Sequence, residues 1–247
     1  MGLKIGAQLI IWGKRAREDL SSVIKAVHEI GFEGIETSPT VLAEYGDWKQ
    51  LLRNYGLSLV ALHIGVGNLK EAEEALKMLS DFNGLYLTFS GAGGKTKTEE
   101  EYLESCRFLN KIGRLAENYG ITVCYHNHDY EIVNNAWGLK IVIENTDPEL
   151  VKLCVDTYWV KCGGLEPVDF ITEHLDRIAY LHLKDGTEED MKHRRFKELG
   201  KGCINFKKIL EIASRKLDWV IVEQDRSEKD PTQSMKESRE YLRQLGY

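Results

Sequence analysis

The chain has 247 residues, 43% hydrophobic and 29% charged, which suits one globular domain with a large core and leaves no room for long disorder. A net charge of -6 repels polyanions over long range, so nucleic acid is not an expected partner. The five cysteines (Cys106, Cys124, Cys154, Cys162, Cys203) form no CxxC pair and read as buried free thiols of a reducing compartment, which points to the cytoplasm.

The first element is the apolar run over residues 5–12. It is too short to span a bilayer, no small-residue cleavage site follows it, and it reads as a first core strand. No membrane partner is expected. Leu20, Val23, Ile24, Val27 and Ile30 then form one helical stripe. From there an amphipathic stretch, a glycine and a short apolar run recur: Gly31 before FEGIE, Gly56 before LSLVAL, Gly84 before LYLTF, Gly120 before ITVCY. Glycine past a helix takes the left-handed backbone that closes the last turn, and short β-rich runs suit strands covered on both faces. Thr98-Glu99-Glu100-Glu101 opens a helix predicted to run to Tyr119, and Asp230-Pro231 caps the last one.

Strand-like runs lie near residues 4–10, 33–37, 57–62, 84–89, 121–126, 152–156, 178–183 and 218–224, each followed by a helical or partly helical stretch. Eight such right-handed units predict an α/β fold, a single (β/α)8 barrel domain over residues 1–247. An open doubly wound sheet is disfavoured, because no GxGxxG turn follows the first run. The GAGG at 91–94 reads as a flexible connector rather than a phosphate cradle.

Catalytic groups of a parallel barrel sit at the C-terminal strand ends. Four consecutive runs end in metal-ligand types: His126 and His128 in CYHNHDYE, Asp156 in CVDTYW, His182 in YLHLKD, and Glu223 in IVEQD. Alternation puts His126 with His128, Tyr180 with His182 and Lys184, and Ile221 with Glu223 and Asp225. Each residue taken alone reads rather as a satisfied polar group, a surface carboxylate or a helix N-cap than as a ligand. Burying four without a compensating cation is costly, so together they predict one divalent metal, and the imidazole-carboxylate mixture favours Mn, Co, Zn or Fe over Mg or Ca.

These motifs resemble the sugar phosphate isomerase/epimerase superfamily of xylose isomerase-like barrels, with inosose dehydratases, keto-sugar lyases and ketose epimerases among its members. GFEGIE at 31–36, the ALH ending at His63, YHNHDYE at 125–131, the VDTYW aspartate, HLKD at 182–185, LGKG at 199–202 and VEQD at 222–225 all match in order. The resemblance implies metal ligands from strands five to eight, usually Glu, Asp, His and Glu. Asp156, His182 and Glu223 match the last three; His126 occupies the place of the first glutamate, with Glu131 as the alternative ligand. Glu36 and His63 stand where the family contacts substrate. Trp12 and Trp159 follow strands one and six, where an aromatic face would meet a sugar ring, core packing being the alternative.

The reaction implied is abstraction of a proton α to a carbonyl in a sugar or keto-polyol, with a metal-stabilised enediolate. Family epimerases use carboxylate bases on both sides of the substrate. Histidine at position 126 removes one of them, which favours a dehydratase or lyase outcome over 3-epimerisation or isomerisation. Glu223 or His128 is the expected base, Lys184 or His128 the expected acid, with a solvent-facing Lys184 the competing expectation. Arg194, Arg195 and Lys201 read as a solvated basic face with the alternative of an anion contact. A nuclease of the same superfamily is disfavoured by Trp159 and by only seven histidines, and a non-catalytic sugar-binding barrel by the intact Asp156, His182 and Glu223. The expected partner is a small-molecule sugar or keto-polyol, with a homo-oligomer left open.

Overall fold

The computed structural model describes residues 2–247. Eight strands, β1 (Lys4–Gln8), β2 (Gly34–Thr37), β3 (Ser58–Gly65), β4 (Tyr86–Ser90), β5 (Thr122–His126), β6 (Val151–Asp156), β7 (Ile178–Leu183) and β8 (Trp219–Val222), close in sequence order into one barrel. Every pairing is parallel, including that of β8 with β1. Among the described residues no helix is long and apolar enough to cross a membrane.

Local chemistry sets the element ends. The predicted stripe is buried along Leu20–Ile30; Asp19 caps that helix by accepting from Ser22 N at 3.2 Å, and Gly31 closes it at φ 88°. The first strand is shorter than the apolar run. Gln8 Oε1 accepts from Ile10 N at 2.6 Å, and the chain turns into the 3-10 segment Leu9–Trp12. The Thr98-capped helix covers Glu99–Glu117 and ends short of Tyr119. At the third repeat Asn83, not Gly84, takes the left-handed backbone, with φ 54°. Gly84 answers a different need: a Cβ there would lie 2.4 Å from Leu79 Cδ2 and 3.2 Å from Leu79 Cα. The GAGG segment is a tight turn, with Ala92 buried and its N–H donating to Tyr125 Oη at 2.9 Å.

The apolar core has two parts. The larger lies between strands and helices. The smaller plugs the barrel and includes Cys124, Cys154, Tyr180, Trp219 and Ile221. Cys106, Cys124 and Cys154 are buried free thiols as expected, whereas Cys162 is half-buried at the end of the helix Thr157–Cys162 and Cys203 is exposed just after the LGKG turn.

Candidate metal centre and its cavity

His126, Asp156, His182 and Glu223 each stand two residues after a member of the plug: Cys124, Cys154, Tyr180 and Ile221. Strand alternation therefore turns them inward, one layer higher, at the C-terminal mouth. One ligand atom from each lies within 4.8 Å of the others, and all four residues are buried. Among the described residues, both ring nitrogens of His126 and Asp156 Oδ2 have no hydrogen-bond partner, and His182 Nδ1 and Glu223 Oε2 are turned against each other. Unpaired buried polar atoms cost about 1–3 kcal/mol each, more when charged. A cation at their centre would take one nitrogen from each imidazole and one oxygen from each carboxylate and offset the two negative charges, so the residues fit a divalent metal, and two imidazoles with two carboxylates suit a borderline ion.

Neighbouring groups hold the carboxylates in place. Asp156 caps the helix Thr157–Cys162 by accepting from Trp159 N at 2.9 Å, and its own N–H donates to Asn127 Oδ1 at 3.0 Å. Lys184 has no exposed surface. Its ammonium lies 2.9 Å from Glu223 Oε1 and 3.5 Å from Asp156 Oδ2, and it pairs with Asp225. The rings of Trp159 and Phe196 lie 4.7 and 4.9 Å from it. The solvent-facing expectation for Lys184 thus fails, because three carboxylates converge inside the mouth. Burial opposes the charged form, but Glu223, Asp156 and Asp225 outweigh it and keep Lys184 an ammonium. Burial likewise disfavours an ionised Glu223, yet His182 and Lys184 hold its carboxyl well below the usual range.

A cavity of about 620 Å³ opens above the cluster, with His126, His128, His63, Glu223 and Asp225 in its walls and Leu9, Ile10 and Val41 on the β1–β2 side. Burial and the neighbouring His126 push the His128 imidazole down to about 3, so it is neutral. Its ring stacks on Tyr130 at 5.5 Å.

Residues 24–245 match the xylose isomerase-like TIM barrel family. The chain belongs to that family. An inosose dehydratase of Geobacillus kaustophilus is 26% identical, over 90% of this chain and 86% of that one. One of Halalkalibacterium halodurans is 30% identical over 59% of this chain and 54% of its own, so the match spans about half of that relative. Among solved structures, a sugar phosphate isomerase/epimerase from Parabacteroides distasonis superposes with TM-score 0.81 at 19% identity, covering 98% of this chain and 94% of that one. The IolI protein with a bound zinc atom superposes with TM-score 0.76 at 15% identity, covering 98% of each.

Other singled-out residues of this family barrel lie outside the cluster. Glu131 is fully buried behind β5: one oxygen meets the hydroxyl of the outward-facing Tyr125 and the other accepts from His128 N at 2.7 Å. Glu36 is also fully buried, bonded to His63, Tyr180 and His182 and absent from the cavity wall. His63 lines the cavity, its other nitrogen 3.0 Å from Ser90 Oγ. Trp12 packs in the core with its indole N–H donating to Thr232 Oγ1 at 3.2 Å, and Trp159 is buried beside His128 and Lys184. Arg194, Arg195 and Lys201 pair with Asp129, Asp190 and Glu237.

Asp225, Asn127 and Asp185 belong to the mouth and were not among the expected site residues. Asp225 was within reach, since it shares the Glu223 face two residues on. Asn127 carried no signal, because alternation points it away from the two histidines beside it. Asp185 clasps the LGKG loop by accepting from the N–H groups of Gly186, Gly200 and Gly202 at 2.9 Å and of Ile204 at 3.4 Å. Gly202 is required there, since a Cβ would fall 2.0 Å from Asp185 Oδ1.

Proposed function

We propose that this barrel is a divalent-metal-dependent enzyme that removes a proton α to the carbonyl of a sugar or keto-polyol, and that elimination is favoured over isomerisation or 3-epimerisation. The observation that carries this reading is the asymmetry of the cavity. On the β8 side stand carboxylates, Glu223 and Asp225; on the β5 side stand the imidazoles of His126 and His128, with Glu131 turned behind the strand. A two-base inversion requires a base on each face of the substrate carbon, and among the described residues the β5 wall of the cavity presents imidazoles and no carboxylate. The relatives named inosose dehydratase support a dehydratase outcome, and the neighbour named sugar phosphate isomerase/epimerase supports a sugar-like substrate.

His126, Asp156, His182 and Glu223 would hold the cation, and the zinc of the IolI neighbour supports a borderline metal such as Zn, Mn, Co or Fe. When bound, it supplies Lewis-acid polarisation of the carbonyl oxygen. Glu223, kept ionised beside Lys184, is the base that takes the α hydrogen. The C–H electron pair becomes the new C=C bond as the β C–O bond breaks, and the departing oxygen takes a proton and leaves as water or an alcohol. His128, in the cavity wall, is placed to hand over that proton: it takes one from solvent water, passes it to the departing oxygen and returns to neutral imidazole, while Glu223 releases the abstracted proton to solvent. Lys184 reaches the cavity only through Glu223 and Asp225, so its part is to supply positive charge and orient both carboxylates. Glu36 stands behind His63 and bonds to it, and His63 lines the cavity.

The test is to incubate the metal-loaded protein in deuterated water with inosose, 3-keto-glycosides, ketoses and ketose phosphates. Exchange at the α carbon coupled to loss of water or an alkoxide supports the reading. Clean inversion without an elimination product overturns it in favour of a ketose 3-epimerase.

A further inference from the structure

His182 has two ring nitrogens and only one can serve a cation. Nδ1 faces the cluster, crowded against Glu223 Oε2. Nε2 lies 2.8 Å from Glu36 Oε2, a carboxylate reaching across the barrel from β2. Glu36 has no exposed surface and, among the described residues, no lysine or arginine partner; it is held by the Tyr180 hydroxyl at 2.8 Å, His63 Nδ1 at 3.0 Å and this imidazole.

The hydrogens of this network can be assigned by elimination. A carboxylate only accepts. The single Tyr180 hydroxyl hydrogen therefore goes to Glu36, and the Thr88 hydroxyl, 2.6 Å from Tyr180 Oη, must donate to it. His63 gives its Nδ1 hydrogen to Glu36, and its Nε2 accepts from Ser90 Oγ. His182 must then carry its hydrogen on Nε2.

We infer that Glu36 is the positioning residue of the metal centre: by holding the Nε2 hydrogen of His182 it fixes the ring and commits the Nδ1 lone pair to the cation. This replaces the substrate-contact role that position 36 carries in the family resemblance, and it rests on the metal reading above. A carboxylate behind a ligating imidazole raises its donor strength, and loss of such a partner typically lowers metal affinity about 10- to 100-fold. Tyr180 and His63 in turn keep the Glu36 carboxylate from rotating away.

The experiment is chelator competition with Co²⁺ on the full chain, wild type against Glu36→Gln, which keeps the shape and removes the charge. The inference expects affinity to fall about 10- to 100-fold with a changed Co²⁺ absorption spectrum. Affinity within twofold of wild type and an unchanged spectrum would overturn it. Nitrogen-15 NMR of the zinc-loaded wild type reads the same point without a variant: a proton-bearing Nε2 on His182 supports the assignment, and a metal-bound Nε2 refutes it. Wild-type protein that takes up neither Co²⁺ nor Zn²⁺ would instead bring down the metal reading itself, and the inference with it.

Discussion

Lys184 Nζ lies 2.9 Å from Glu223 Oε1, and the lysine is wholly enclosed. Its charge therefore sits against a carboxylate that also faces the cation site, with Asp156 and Asp225 alongside. Taking away one partner of a buried ion pair leaves the others uncompensated, at a typical cost of about 3–5 kcal/mol. Lys184→Met should lose stability of that order in the metal-free protein and less when Zn²⁺ or Co²⁺ is bound, since the cation offsets the same carboxylates. Urea unfolding with and without metal checks this. Equal losses in both states would show that the lysine acts through packing.

Metal content should separate the cluster from its neighbour behind β5. Elemental analysis is expected to find one divalent cation per chain in wild type and to find it depleted in His182→Ala. Glu131→Gln should keep it, because that carboxyl faces Tyr125 and the His128 backbone. A fully loaded His182→Ala protein would place the ion elsewhere, and a depleted Glu131→Gln protein would transfer the fifth-strand ligand from His126 to Glu131.

Turnover should depend on both cavity walls. His128→Ala and Glu223→Gln are each expected to slow product formation by about 100-fold or more, as loss of a general acid or base does. Only Glu223→Gln should also abolish solvent-deuterium exchange at the α carbon. Persistent exchange in that variant, together with lost exchange in His128→Ala, would make the histidine the base.

Stability should fall as pH rises through neutrality. Burial pushes the Glu131 carboxyl from 4.5 up to about 8, so between those values the folded protein retains a proton that the unfolded chain has released. Stability is then greatest below about 4.5 with respect to this group, and the penalty, on the order of a few kcal/mol, is complete above about 8. In Glu131→Gln the amide can donate to Tyr125 Oη and accept from His128 N, as the protonated acid does. The gain of this variant over wild type in urea unfolding should widen from pH 5 to pH 8. A constant gap would show that Glu131 does not titrate in that range.

The amino-acid sequence by itself determined the barrel and the four strand ends that meet at its mouth. Both follow from local periodicity: eight repeats of helix and strand leave one parallel closure, and alternation puts Asp156, His182 and Glu223 on the inward face of their strands. Left to the tertiary structure were the partners those residues find. Lys184 could have ended in solvent, and it is buried because Asp156, 28 residues earlier, and Glu223, 39 residues later, close around it. Glu131 could have folded back to the cluster, but the outward turn of Tyr125 offers it a hydroxyl on the far side of β5. Glu36 lies 146 residues from His182 and meets it only when the barrel closes. A side chain's direction along a strand is set by its neighbours in the chain. Its hydrogen-bond partners and the charge around it are set by residues that only the closed fold brings within reach.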